Sequence, residues 1–134
     1  MAHALHNYDG KCANIHGHSY QLTVTLIGTP RDENDHPKNG MVMDFSDLKR
    51  IVSEEILQNF DHALVLKDSD PLLASLDSGN QMIVRTKYQP SCENLLLEFV
   101  GRISKRIEEP LKLHSMILRE TNSSYASWYA SDNE

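Results

Sequence analysis

The strongest constraint on the fold is the run His16-Gly17-His18-Ser19-Tyr20-Gln21-Leu22-Thr23-Val24-Thr25-Leu26, whose apolar residues recur at every second position. Period-2 alternation marks a half-buried strand, because successive strand side chains point to opposite faces. A strand over residues 16–27 is therefore predicted, with His16, His18, Tyr20, Leu22, Val24 and Leu26 on one face. Two imidazoles at the end of an apolar strand face can share one metal ion. The Cys12 thiol, four residues before His16, is near enough along the chain to sit beside them.

The rest of the chain supplies a frame for that strand. Residues 28–40 hold Pro30, Asp32, Asn34, Asp35, Pro37, Asn39 and Gly40 and read as a polar loop. A short apolar strand at 41–44 would close a hairpin with the first. Leu48, Ile51, Val52, Ile56 and Phe60 fall near helical spacing, which predicts a helix over 46–59 capped by Asp44 or Ser46. Leu64 to Leu66 form a short apolar piece of open type, Asp70-Pro71 opens a helical turn, and Asp77-Ser78-Gly79-Asn80 reads as a turn. Residues 82–86 read as a strand. A second helix is predicted over 92–107, with Ser91 as N-cap and Leu95, Leu96, Phe99, Val100, Ile103 and Ile107 as its buried stripe. Alternation returns over 113–121, where Met116, Leu118 and Glu120 share a face, and a last strand follows over 125–130. Helices segregated from strands argue for an α+β fold with an antiparallel sheet. No repeat or linker divides the chain, so residues 1–134 read as a single domain.

Composition narrows the function classes. The net charge of -6 offers no general attraction to nucleic acid or to an anionic membrane surface. No apolar run approaches the length of a membrane span, and no charged and apolar segment pair of a leader is found in the opening residues, so none is expected. Two cysteines, Cys12 and Cys92, are too few for a disulfide framework. A cytoplasmic setting with free thiols is the expectation.

A catalytic zinc keeps three protein ligands and one open position. His16 and His18 supply two. His3 is the best-placed third, since residues 1–5 read as the end of a strand beside the long one. Cys12 has three open readings: fourth ligand, proton-transfer group, or small buried hydrophobe. Asp61-His62 is either a helix-terminating polar pair or a histidine base oriented by a carboxylate. Glu120 is either a solvated strand end or a carboxylate held for a ligand's N–H donors. Glu93, in the first turn of the second helix, complements its dipole. Cys92, His6, His36 and His114 read as ordinary core or surface residues.

These pieces, in this order, resemble the 6-pyruvoyl-tetrahydropterin synthase and 6-carboxy-tetrahydropterin synthase family. The matching stretches are Ala2-His3-Ala4-Leu5, Lys11-Cys12, His16-Gly17-His18, Gly40-Met41-Val42-Met43-Asp44-Phe45, Asp61-His62, Pro90-Ser91-Cys92-Glu93-Asn94 and Arg119-Glu120-Thr121. The resemblance implies a tunnelling fold: an antiparallel sheet with two helices on one face, and strands that assemble into an oligomeric barrel. Trimers or hexamers with active sites between subunits are implied as well. It also implies that His3, His16 and His18 hold Zn2+. Cys12 would transfer protons, with His62 and Asp61 as its relay, and Glu120 would anchor a pterin ring with Glu93 nearby. The implied substrate is 7,8-dihydroneopterin triphosphate, with no nucleic-acid or membrane partner.

The compact Cys12-x3-His16-Gly17-His18 spacing and Met43-Asp44-Phe45 are similar to the bacterial 6-carboxy branch. That branch releases acetaldehyde and triphosphate on the route to queuosine and other deazapurines. The alternatives are the 6-pyruvoyl activity, without side-chain cleavage, and a non-catalytic zinc- or pterin-binding module of the same fold. Two departures stand out. Members of the family carry a full strand before the first zinc histidine, where only Met1 and Ala2 stand here, and a truncated start is the simpler account. The segment between His62 and Pro90 is also long, and it is expected to add a hairpin or change the pocket rim.

Overall fold

The alternating run does form strands, but it divides between two sheets. In the computed structural model, which describes residues 1–76 and 81–133, one sheet consists of β1 (Ala2–His3), β2 (His16–Gly17), β4 (Leu64–Lys67) and β5 (Ile83–Thr86), in the order β2-β1-β4-β5. The other consists of β3 (Gln21–Ile27), β6 (Lys112–Arg119) and β7 (Tyr125–Tyr129), in the order β3-β6-β7. The predicted unbroken strand over 16–27 is thus corrected to β2 and β3, because the two pieces take different ladder partners. β2 pairs with β1 and β3 pairs with β6, both antiparallel.

The second sheet is antiparallel throughout, while β4 joins β1 and β5 through parallel pairings. Parallel neighbours need a crossover connection rather than a tight turn. Among the described residues, the long segment after His62 therefore adds no hairpin. It returns through a 3-10 turn (Pro71–Ala74), whose N-cap Asp70 accepts a hydrogen bond from the Leu72 N–H at 2.9 Å. The turn expected at Asp77 to Asn80 lies outside the described residues.

No strand forms at 41–44. The 28–40 loop closes on itself instead, with the Arg31 N–H bonded to the Met41 carbonyl (3.0 Å) and the Gly40 N–H to the Arg31 carbonyl (2.8 Å). Gly40 has φ +80°, a left-handed conformation that glycine adopts without a Cβ clash. The Lys38 ammonium pairs with Asp44 and Asp47 and ties the loop to the helix that follows.

That helix is continuous but not uniform. α1 (Phe45–Val52) is capped by Asp44, which accepts from the Ser46 N–H at 2.8 Å. A π-helical turn (Ser53–Leu57) follows, and then α2 (Gln58–Phe60). In a regular α-helix Ile56, five residues after Ile51, would rotate off the buried face. The π turn takes up the extra residue, so Ile51, Ile56 and Phe60 are all buried. α3 (Cys92–Ser104), with Ser91 as N-cap, buries Leu95, Leu96, Phe99, Val100 and Ile103. It ends before Ile107, which still packs against the core.

The core lies between these helices and the inner face of β3-β6-β7. Phe60 meets Phe99 edge-on at 4.9 Å between centroids, and burying each such ring stabilises by roughly 1.5–3 kcal/mol. A register shift between Thr25 and Leu26 pairs Ser115 and Leu113 with consecutive β3 residues and leaves His114 as a bulge. A one-residue slip exchanges faces, so Leu113 joins Met116 and Leu118 in the core. No described helix is long and apolar enough to cross a membrane.

Candidate functional site

The pairing of β1 with β2 sets His3 directly opposite His16. His18, two residues on, keeps the same side, as i, i+2 geometry requires. The three rings close on one another, with centroids 4.5 Å (His3–His16), 5.0 Å (His16–His18) and 5.4 Å (His3–His18) apart. One nitrogen from each lies within 4.8 Å of the others, so the group can hold a metal ion.

The hydrogen bonds behind the rings strengthen that reading. His3 Nδ1 is 2.6 Å from the Pro90 carbonyl, and His16 Nδ1 is 2.8 Å from the Asn14 carbonyl. A carbonyl only accepts, so each Nδ1 carries the proton and each Nε2 presents a lone pair. The two Nε2 atoms nevertheless stand 3.1 Å apart. Two facing lone pairs at that distance repel unless a proton or a metal ion takes them up. His3 is only 2% exposed, and burial pushes its pKa down, against a proton there. A divalent metal bound by neutral imidazoles satisfies both nitrogens. Metal-ligating histidines usually donate the ring N–H that faces away from the metal to a carbonyl in this way.

Glu120, just past β6, reaches back to the triad. Its Oε1 accepts a hydrogen bond from the Tyr20 hydroxyl at 2.8 Å and lies 3.4 Å from His3 Nε2. Burial, and then Glu120, push the Tyr20 pKa strongly upward, so its hydroxyl remains a donor. Cys92 is buried next to this group, its thiol 3.3 Å from the Leu118 carbonyl. Burial, with Glu120 adding to it, raises its pKa to about 11, which keeps the thiol protonated and inert.

On the far side of His18 a cleft of ≈ 550 Å³ is lined by His18, Tyr20, Leu22, Phe60, Asp61 and His62 among others. Asp61 and His62 terminate the helix in a tight turn that the Ala63 N–H closes onto the Phe60 carbonyl at 3.1 Å. His62 has φ +62°, at the turn position that glycine normally fills. In an extended segment the two side chains would diverge. Here the turn brings Asp61 Oδ1 to 3.1 Å from His62 Nδ1.

The family model described as 6-pyruvoyl tetrahydropterin synthase matches residues 1–131. The chain belongs to that family. It is 33% identical over 132 residues to the 6-carboxy-5,6,7,8-tetrahydropterin synthase of Haemophilus influenzae, covering 96% of this chain and 91% of that protein. To the enzyme of the same name from Aquifex aeolicus it is 31% identical over 128 residues, covering 88% and 75%. Two solved structures share the fold. An uncharacterized protein from Wolinella succinogenes superposes with TM-score 0.74 at 20% identity, covering 96% of this chain and 92% of that one. The 6-pyruvoyl tetrahydropterin synthase of Caenorhabditis elegans superposes with TM-score 0.66 at 24% identity, covering 96% and 87%.

Among residues singled out from this family's motifs, the structure gathers His3, His16, His18 and Glu120 at one centre and places Asp61 and His62 on the adjoining cleft. Cys12 sits half-buried in a 3-10 turn (Lys11–Ala13), outside both the three-nitrogen group and that cleft. Glu93 is exposed in the first turn of α3. Gln81 and Met82, from the long segment, line a second hollow with His18 and His62, so that segment does shape the rim. Sequence reasoning left Tyr20 without a role, although its parity with His18 was the available signal. No local signal marks the Pro90 carbonyl, which orients His3 from 87 residues away.

Proposed function

We propose that this chain is a zinc-dependent 6-carboxy-5,6,7,8-tetrahydropterin synthase. It converts 7,8-dihydroneopterin triphosphate to 6-carboxy-5,6,7,8-tetrahydropterin with release of acetaldehyde and triphosphate, in queuosine or related deazapurine biosynthesis. The observation that carries the reading is the pair of Nε2 atoms of His3 and His16 at 3.1 Å, both with Nδ1 committed to carbonyls. The names of the Haemophilus and Aquifex relatives support the 6-carboxy branch, as does the three-residue gap between Cys12 and His16.

His3, His16 and His18 would hold the zinc, which when bound polarises the substrate's side-chain hydroxyls as a Lewis acid. Glu120 accepts the N–H donors of the pterin ring. Cys12 removes and returns protons at the side-chain carbons, with His62 as its partner and Asp61 orienting the imidazole. Cys12 and His62 do not share a cleft within one chain, which fits active sites formed between subunits of a homo-oligomer. Among the described residues, β3 and β7 have open edges on which such a barrel can close. The whole of 1–134 acts as one unit of that assembly.

The test is a product assay on purified protein with zinc. Acetaldehyde and triphosphate are expected in equal amounts, at one zinc per chain. Triphosphate without acetaldehyde would assign the 6-pyruvoyl reaction instead. Bound zinc with no substrate consumed would make the chain a binding module.

The backbone at His62 supplies an independent check. Holding a non-glycine residue at φ +62° costs roughly 1 kcal/mol. Such strain persists where the side chain is used. His62→Gly is expected to leave the thermal midpoint unchanged or higher while turnover falls by about 10²–10⁴-fold. A variant with full turnover would remove His62 from the proton relay.

A further inference from the structure

The three imidazoles are not the only ligand-competent groups at the centre. Glu120 Oε1 lies 3.4 Å from His3 Nε2 and 3.7 Å from His18 Nε2. Ligand atoms held at about 2.0–2.1 Å around a tetrahedral ion are themselves about 3.4 Å apart. The carboxylate oxygen therefore stands near ligand separation from two of the three imidazoles while lying outside the three-nitrogen group itself, and carboxylates bind the same ions that imidazoles bind. Ligation by Glu120 would give a closed, structural centre. It would also withdraw the carboxylate from any ring it is meant to receive.

Tyr20 is the group placed to prevent this. Its hydroxyl lies 3.2 and 3.4 Å from the two ring nitrogens of His3, astride the ring rather than at either lone pair. His3 Nδ1 is already committed to the Pro90 carbonyl. The Tyr20 proton therefore goes to Glu120 Oε1, at 2.8 Å. That is the same oxygen that faces the imidazoles. A charge-assisted bond of this kind takes one of that oxygen's two lone pairs and holds the carboxylate turned toward Tyr20 rather than toward the metal.

We infer that Tyr20 is a positioning residue that holds Glu120 as an outer acceptor and so keeps the metal's fourth coordination position open. The inference rests on the metal reading of His3, His16 and His18 and adds the device that keeps such a centre from closing. It predicts an unusual sign. Loss of an outer-shell partner ordinarily weakens metal binding by about 10–100-fold. Here loss of the hydroxyl releases an extra ligand and tightens it.

The experiment measures Zn2+ affinity by competition with a chromophoric chelator for the wild type, Tyr20→Phe, Glu120→Gln and the double variant. Tyr20→Phe keeps the ring and its packing and is expected to bind Zn2+ about tenfold tighter, an effect on the scale of other outer-shell changes. The double variant is expected to match Glu120→Gln. In the Co2+-loaded proteins, azide should shift the visible spectrum of the wild type and of the double variant, by entering the open position, but not that of Tyr20→Phe. Equal or weaker Zn2+ binding by Tyr20→Phe overturns the inference, as does azide entry into that variant or tighter binding that persists in the double variant. Failure of the metal reading itself looks different: the wild type and every variant then fail to retain Zn2+.

Discussion

Cys12→Ala is expected to retain one zinc per chain and to lose turnover by about 10²–10⁴-fold, the usual contribution of a positioned acid–base group. Both halves follow from where the thiol lies. The group that can hold a metal ion consists of three imidazole nitrogens, and Cys12 is outside it. Two of the three ligands take their orientation from the Pro90 and Asn14 carbonyls. The Cys12 backbone carbonyl accepts from the Leu5 N–H at 2.8 Å. Alanine keeps that bond. Zinc content by chelator titration and turnover by triphosphate release check the two halves separately. A Cys12→Ala protein that loses its zinc would make the thiol a fourth ligand and the centre structural. One that keeps both zinc and full turnover would remove Cys12 from proton transfer.

The parts of this site that were legible in the sequence are those governed by short-range periodicity. Period 2 places His16, His18 and Tyr20 on one side, and they converge there even though the strand breaks between them. The stripe from Leu95 to Ile103 and the caps at Asp44, Asp70 and Ser91 follow from local chemistry and appear as expected. What the sequence did not disclose depends on partners far along the chain. Whether residues 16–27 make one strand or two depends on β1 and β6 competing as ladder partners. β5 lies parallel to β4 because of a crossover that no local pattern encodes. The π turn at Ser53–Leu57 arises because Ile56 and Phe60 must face the same core as Ile51. His62 occupies a position where local preference favours glycine, so propensity alone could not reveal the turn that points it at the cleft.

His3 and His16 face each other across one ladder, yet their removal should have different consequences. Either alanine variant is expected to lose high-affinity zinc, because each takes away one of three ligands. The ligand-linked stabilisation of the wild type, about 4 kcal/mol at a thousandfold excess of zinc over Kd, should vanish in both. The metal-free proteins should then separate. His3 is 2% exposed, and its Nδ1 satisfies the Pro90 carbonyl inside the fold. His3→Ala leaves that carbonyl unpaired and opens a cavity, which together cost about 2–4 kcal/mol. His16 is only half-buried and bonds a carbonyl two residues away in an exposed turn. His16→Ala in the metal-free state should shift stability by less than about 1 kcal/mol. The pH dependence separates them again. Burial lowers the His3 pKa from 6.5, so below that pH the unfolded chain binds a proton that the folded chain resists. His3 therefore makes stability fall as pH drops below about 6.5, and His3→Ala removes that part of the slope. Urea unfolding of the metal-free proteins at pH 7.5 and pH 5.5 checks both points. Equal destabilisation by the two variants would mean that His3 serves the metal alone. A larger cost for His3→Ala would identify it as the residue through which the metal centre and the core hold one another in place.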